Sequence, residues 1–191
     1  TLETADASLL VVDLGDPACV EQVEVVHAVL GERHVTLTER WEPAGASAKA
    51  TADSNGDPFA VRLPTLLLAN KADRLADADA ELRAFLEVLG LRYAALAVSA
   101  TTGRGLGNIG PWLFDHLGIA RVYTKVPGRP PDLGRPFTVR RGHTVEDVAE
   151  LVHKDLARSI KYARVWGKSG FDGQHVGRNH PVADGDVIEL H

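Results

Sequence analysis

The segment Leu63–Ala69 (LPTLLLA) constrains the fold more than any other part of the chain. It is apolar without alternation, so it has no polar face to turn to water. Strands of this kind are covered on both sides, as in parallel sheets flanked by crossover helices. Ser8–Leu14 (SLLVVDL) repeats the pattern. After it, Asp16 and Pro17 are suited to open a helix, the Asp as N-cap and the Pro at the first position. Val20, Val23, His27 and Leu30 supply the stripe of that helix, and Gly31 is placed to end it. A second helix is predicted over about Asp77–Leu89, capped by Gly90. Arg92–Val98 is the third strand. A short helix follows, with Pro111 in its first turn and Trp112, Leu113 and Leu117 on its apolar side. The order β-α-β-α-β-α implies right-handed crossovers and a parallel sheet. Three strands are fewer than the roughly five or six of most doubly wound domains. Residues 38–62 are polar, rich in Gly and Ala, and contain Pro43 and Pro58; they read as a long surface loop.

The rhythm changes near residue 119. Ala120–Lys125 alternates as a strand, and a proline-rich connection (PGRPPDLGRP) leads to a second strand, Phe137–Arg140. Thr144 opens a helix, with Asp147 where a capping box usually has Glu. Val145, Val148, Leu151, Val152 and Leu156 form its expected buried stripe. Tyr162–Trp166 is a third strand. Short strands near Gln174–Val176 and Val187–Leu190 complete the sheet, with Ala183–Asp186 (ADGD) as a turn. This is a small mixed sheet around one helix, the β-grasp (ubiquitin-like) pattern. The expected fold is therefore a partial α/β nucleotide-binding domain over residues 1–118 and an α+β β-grasp domain over residues 119–191.

Composition excludes several classes. The chain of 191 residues is 45% hydrophobic and 25% charged, as globular proteins are. No apolar run approaches the ~20 residues of a membrane span. Cys19 is the only cysteine, which rules out an intrachain disulfide and a cysteine zinc cluster, and no disulfide-linked partner is expected. With no signal peptide visible, a cytoplasmic location is expected. Charge is uneven. Residues 1–118 carry 9 Lys+Arg and 17 Asp+Glu, a net of −8, whereas residues 119–191 carry 12 and 9, a net of +3. The second half could face an anionic partner such as RNA; two independent solvated surfaces would look the same.

Ligands of open α/β sheets bind outside the carboxyl ends of the strands. Asn70, Lys71 and Asp73 stand at one such end, and Ser99 and Ala100 at the next. Each suits a guanine base. The Asp73 carboxylate can accept from both N1–H and the exocyclic amine, donors that adenine lacks on that edge. A site built on such hydrogen bonds rejects the wrong partner by roughly 10⁴-fold. The Lys71 stem can lie on the base while its ammonium reaches solvent or a ribose oxygen. Asn70 can tie its loop to neighbouring backbone, the Ala100 N–H can donate to O6, and the Ser99 hydroxyl can brace the loop around Asp73. NKxD alone is a weak signal; at the end of an apolar strand and paired with a Ser-Ala strand end it is much stronger.

Together, "LLLANKAD", "AVSATTGRGL" and the stretch from "HLGIARVYTK" to "DGDVIEL" resemble the developmentally regulated GTP-binding proteins and their bacterial relatives. These are Obg-like GTPases with a C-terminal TGS domain. The resemblance covers most of the chain and is weakest at residues 32–62. It implies binding of GTP or GDP, slow hydrolysis assisted by other factors, and association with ribosomes or RNA. Such GTPases also carry, upstream of the strand that Ser8–Leu14 resembles, a phosphate loop GxxxxGK[S/T], a switch threonine and a DxxG turn, and none of these stands at that place here. Gly167–Ser169 (GKS) is not a phosphate loop, because the position five before Gly167 is Tyr162. Residues 45–51 (GASAKAT) lack the second glycine. No residue is therefore assigned to magnesium, which is expected only with an N-terminal part, and this chain alone is expected to bind GTP weakly or not at all and not to hydrolyse it.

The competing reading is a non-catalytic module that docks to RNA, ribosome or protein through its C-terminal domain. Arg140, Arg141 and Lys168 are its candidate RNA contacts. Trp166 and Tyr162 read first as core packing, with stacking on an RNA base as the less favoured role. The scattered histidines read as surface residues, Cys19 as a small packed side chain, and the C-terminus lacks the Gly-Gly of a ubiquitin-type carrier.

Overall fold

A computed structural model describes residues 4–41 and 60–191. The expected loop over residues 38–62 and the segment 45–51 fall largely or wholly outside the described residues. The chain forms two compact units, one ending at Leu117 and one running Gly118–His191.

In the first unit, β3 (Val61–Asn70) is the strand on which the sheet is built. It pairs in parallel with β1 (Ser8–Asp13), from Ser8↔Thr65 to Asp13↔Asn70. It also pairs with β4 (Ala94–Ala97), from Leu66↔Ala94 to Ala69↔Ala97. Leu66 and Leu67 point to opposite faces, and both are completely buried. On one face Val12, Leu67, Ala69, Leu82, Phe85 and Tyr93 form a cluster with α1 (Cys19–Gly31) and α2 (Ala78–Leu89). On the other, Leu66, Leu68 and Val98 pack with Trp112 and Leu113 of α3 (Leu106–His116).

Four features differ from the sequence reading. A fourth strand, β2 (Val35–Thr38), pairs in parallel with the start of β3; its four residues are too few for a periodic signal. β1 is not covered on both faces. Its Leu9 and Val11, level with Leu66 and Leu68, are 46% and 58% exposed, because the α3 cluster reaches β3 and β4 only. Asp16 is not the N-cap of α1. Its carboxylate accepts from the Ala18 N–H in a turn before the helix, and the chain reverses at His34 (φ 58°) beyond Gly31. Pro111 lies inside α3, not in its first turn, because the helix already starts at Leu106. The α2 reading holds: Asp77 caps its start by accepting from the Ala80 N–H at 2.9 Å, and Gly90 (φ 63°) ends it.

The second unit is a five-stranded sheet in the order β6-β5-β9-β7-β8. Its strands are β5 (Ile119–Lys125), β6 (Phe137–Arg140), β7 (Ala163–Trp166), β8 (Gln174–Val176) and β9 (Val187–Leu190). β5 and β9 are parallel and the other neighbours antiparallel. One face packs on α4 (Val145–Val152) and α5 (Lys154–Ser159) through a core of Ala, Val and Ile side chains. The capping box is formed: the Asp147 carboxylate accepts from the Thr144 N–H at 2.6 Å. The long helical stripe is not. His153 is extended (φ −167°) and divides the helix in two, which leaves Leu151 and Val152 exposed while Ala149 joins the core.

Trp166 and Tyr162 are not core residues either. Ala163 and Val165 take the core positions of β7, so the alternation turns Trp166 to the opposite face, where Lys125 Nζ lies 4.1 Å from its ring centre. The sequence Gly167-Lys168-Ser169 wraps a buried carboxylate of its own chain. Asp186 accepts from Lys168 N–H (2.7 Å), Ser169 N–H (3.3 Å) and Ala183 N–H (2.8 Å). Gly167 sits at φ 141°, where a Cβ would collide with that carboxylate.

Arg121 holds Asp184 bidentately, at 3.0 and 2.9 Å, and donates its backbone N–H to it as well. The guanidinium lowers the Asp184 carboxyl from 3.8 to about 2. A depressed carboxyl stabilises the fold in full above its unfolded pKa and loses that contribution as pH falls through the folded one. The loss therefore runs from about pH 4 to pH 2. With Arg121 half exposed, solvent screening reduces the contribution to about 1 kcal/mol. Urea unfolding of Asp184→Asn should show that deficit at pH 6 and little deficit at pH 2.

Candidate functional site

The carboxyl ends of β3 and β4 are laced together by four hydrogen bonds. Val98 N–H donates to Ala69 O (2.8 Å) and Ala72 N–H donates to Val98 O (3.0 Å). Ala100 N–H donates to Asn70 Oδ1 (3.0 Å), and the Ser99 hydroxyl donates to Asp73 Oδ1 (2.5 Å). The parallel register Ala69↔Ala97 brings the two strand ends level, so residues 26 and 30 apart in sequence meet. Local geometry then aims the loop. Lys71 adopts φ 61°, one of two non-glycine residues with positive φ among the described residues. That reversal starts a single 3₁₀ turn, Ala72–Arg74, anchored by the buried Ala72. The turn carries Asp73 back over Ser99.

Ser99 is the keystone. Its side chain is completely buried, and its hydroxyl also accepts from Thr102 N–H at 3.1 Å. Its own N–H donates to Arg104 O, and its carbonyl accepts from Gly103 N–H, both at 2.9 Å. The loop from Ser99 to Arg104 is thus folded on one residue. Gly105 leads from it into α3 at φ 74°, and a Cβ there would stand 2.5 Å from Ala97 O. Only glycine fits.

The Ser99 hydroxyl is the main cause that holds the Asp73 carboxyl below the usual range. Asp73 is nonetheless exposed. A desolvation penalty at this carboxylate therefore arises only once a ligand covers it, not in the free chain. Two other expected roles change. The Ala100 N–H is already given to Asn70, so an incoming oxygen must share or displace that bond. The Lys71 ammonium does not stand free in solvent; it pairs with Asp13 Oδ2 at 2.5 Å. Asp13 is the residue that sequence reasoning missed. It ends β1 level with Asn70, accepts from Gly15 N–H at 3.0 Å, and is held below the usual carboxyl range chiefly by Lys71. An acidic residue closing the strand next to the NKxD strand was the available signal.

The structure brings Asn70, Lys71, Asp73, Ser99 and Ala100 together in the first unit. In the second it places Arg140, Arg141 and Lys168 toward the same end of the sheet, but on β6 and after β7, strands that β5 and β9 separate. Arg140 ends β6 opposite Ile119, Arg141 donates through Nε to Ile119 O (3.3 Å), and Lys168 follows the antiparallel β7 beside Asp186. Cys19 is buried. His175 Nε2 accepts from Arg164 Nε at 2.9 Å, and His180 Nε2 lies 3.0 Å from Ser169 O. Among the described residues no group of three His, Cys, Asp or Glu could hold a metal ion, and no helix is long and apolar enough to cross a membrane.

Comparison with known proteins points the same way for both units. The family model for the TGS domain matches residues 120–191. The chain is 39% identical over 133 residues to an uncharacterized GTP-binding protein of Methanocaldococcus jannaschii, a match covering 68% of this chain and 33% of that one. It is 32% identical over 126 residues to the developmentally-regulated GTP-binding protein 2 homolog of Dictyostelium discoideum, covering 65% and 33%. The chain thus spans about a third of the length of these curated relatives. Among solved structures, a GTP binding protein from Pyrococcus horikoshii aligns with TM-score 0.65 and 17% identity, over 100% of this chain and 79% of that one. The YchF GTPase of Schizosaccharomyces pombe aligns with TM-score 0.65 and 11% identity, over 100% and 73%. At such identities these two likenesses concern the fold alone.

Replacing Ser99 by Ala should let the Asp73 carboxyl rise back toward 3.8, read by NMR titration, and should speed hydrogen exchange at the Thr102 amide. An unmoved Asp73 titration would remove Ser99 from the keystone role.

Proposed function

We propose, for a chain whose residues 120–191 are a TGS domain and which is homologous over its matched part to the developmentally regulated GTP-binding proteins, that the first unit is the base-recognition part of a guanine-nucleotide site. The observation that carries this reading is the Ser99–Asp73 hydrogen bond. It fixes a carboxylate at a strand end, beside a lysine stem, in an open α/β sheet. That is where such sheets bind ligands. Asp73 accepts from guanine N1–H and the exocyclic amine. Lys71, its ammonium tethered by Asp13, offers its stem to the base plane. Ala100 N–H, relaxed from Asn70, meets O6. Asn70 and Ser99 hold the two loops in register.

Phosphates and magnesium are outside the competence of these 191 residues, which contain no GxxxxGK[S/T] loop. Phosphate contacts and metal carry most of the stabilisation in phosphoryl transfer. Calorimetry on this chain should therefore detect weak GTP binding or none, with no hydrolysis. Micromolar, magnesium-dependent binding would overturn that expectation.

Base choice is testable in any longer form of the protein that contains a phosphate-binding loop. In Asp73→Asn the side-chain amide donates where the carboxylate accepted. Guanine then presents an amine to an amine, whereas xanthine presents a carbonyl. Competition binding should shift from GTP toward XTP by about a hundred-fold or more. An unchanged preference would remove Asp73 from the pocket.

A second reading concerns the TGS domain, which is proposed to associate with RNA or the ribosome. It is favoured by the net charge of +3 on residues 119–191 and by the placement of Arg140, Arg141 and Lys168 toward the same end of the sheet. In this reading the chain works as a non-catalytic module and the first unit is its scaffold.

A further inference from the structure

Lys71 has two carboxylates on which to spend its charge. Asp73 stands two residues on, in the 3₁₀ turn that Lys71 itself starts, and Asp13 ends the neighbouring strand β1. A lysine stem is flexible and its ammonium is a point charge with three donors. Closeness in sequence alone would favour Asp73. The structure shows the other choice, with Lys71 Nζ 2.5 Å from Asp13 Oδ2. The electrostatics agree. Lys71 is the main cause that lowers the Asp13 carboxyl. The Asp73 carboxyl is lowered chiefly by the Ser99 hydroxyl, then by its own backbone N–H and by Arg74.

Asp13 is firmly placed for this task. The register Asp13↔Asn70 holds its backbone level with the residue before Lys71. Its Oδ1 accepts from Gly15 N–H (3.0 Å) and its carbonyl accepts from Asp16 N–H (3.1 Å), so the turn after β1 closes on it. The carboxylate of Asp16 is engaged elsewhere, by Ala18 N–H (2.9 Å) and Gln22 Nε2 (3.0 Å). One oxygen of one carboxylate, Asp13 Oδ2, is thus left to take the ammonium.

We infer that Asp13 determines specificity in the proposed base site: by drawing the Lys71 ammonium to the end of β1, it keeps Asp73 Oδ2 open for a guanine base. It is a positioning residue, acting through Lys71 without touching the ligand. An ammonium seated on Asp73 would fill an acceptor position that guanine's exocyclic amine needs. The base would then have to break an ion pair before forming its own bonds. Hypoxanthine lacks that amine and would lose less. The inference rests on the guanine reading above and adds to it a residue outside the Asn-Lys-x-Asp run.

The ligand-free 191-residue chain tests the diversion. In Asp13→Asn the amide oxygen still accepts from Gly15 N–H, so the turn is kept while the charge is lost. Lys71 then turns to Asp73, and NMR titration should show the Asp73 carboxyl falling further below the usual range. In Asp13→Asn/Lys71→Met it should move back toward its value in the unaltered chain, since Ser99 and Arg74 are the same throughout. No fall in the single variant, or a fall that persists in the double one, would overturn the diversion. Specificity is read by competition of GTP with ITP in a longer form that contains a phosphate-binding loop. Asp13→Asn should cut the preference for GTP by roughly ten-fold. Made in a Lys71→Met background, the same change should cut it no further. Equal losses in the two backgrounds would mark Asp13 as a turn residue only. The two readings fail separately. Base preference unmoved by Asp73→Asn sinks the guanine site itself. A shift toward XTP in Asp73→Asn, with the GTP-to-ITP ratio unmoved by Asp13→Asn, leaves the site standing and overturns the role of Asp13.

Discussion

In the first unit everything depends on one strand whose centre is sealed from water. β3 is hydrogen-bonded to β1 and β4, and from Thr65 to Ala69 every side chain on either face is buried. The Thr65 hydroxyl is satisfied within that interior by Ser8 and by Leu63 O. A strand of this kind can carry polar chemistry only where it ends. Asn70 is the first such position, and Lys71 reverses the chain at once. The order of events along the sequence, apolar run and then Asn-Lys-Ala-Asp, is therefore the order demanded by burial. The site is a consequence of how the core stops.

That dependence explains what was legible in the sequence. Asn70, Lys71, Asp73, Ser99 and Ala100 are brought together because the parallel register of β3 and β4 is set by two apolar runs, each visible as a run. β6, β8 and β9 are found where alternation and turn residues put them, since the side chains of a half-covered sheet must alternate. What was hidden falls into two kinds. β2 and the break at His153 are decided by tertiary fit and leave no periodic trace. Asp13 and Trp166 were visible as residues, but their roles depend on a neighbour far along the chain: Lys71 for one, Lys125 for the other. A lone strand pattern shows that Trp166 alternates with Val165. It does not show which of the two faces the helix.

The sequence GKS illustrates how a short motif misleads and yet is physically informative. Successive backbone N–H groups at Lys168 and Ser169 do converge on an anion. The anion is the carboxylate of Asp186, completely buried and supplied by the turn before β9. The same donors that could cradle a phosphate instead pin the β7 loop to the 183–186 turn, and Gly167 is required because the carboxylate fills the space of its side chain. Motif chemistry survives here, with a structural ligand in place of an external one.

Asp73 and Asp186 mark the two fates of a carboxylate near a strand end. Asp186 is sealed, with three backbone N–H groups on its two oxygens, so nothing remains for a ligand. Asp73 is exposed, and Ser99 takes Oδ1 alone among side chains. A carboxylate has about four acceptor positions, so Asp73 keeps capacity for donors that arrive side by side. Ionised, it is an acceptor only, and the Ser99 hydroxyl that holds it in place also keeps its carboxyl below the usual range. The ligand edge that such a group selects is one with adjacent N–H donors, and adenine does not offer that edge. In the proposed guanine site, base choice would thus rest on open acceptor capacity held in place by a buried hydroxyl.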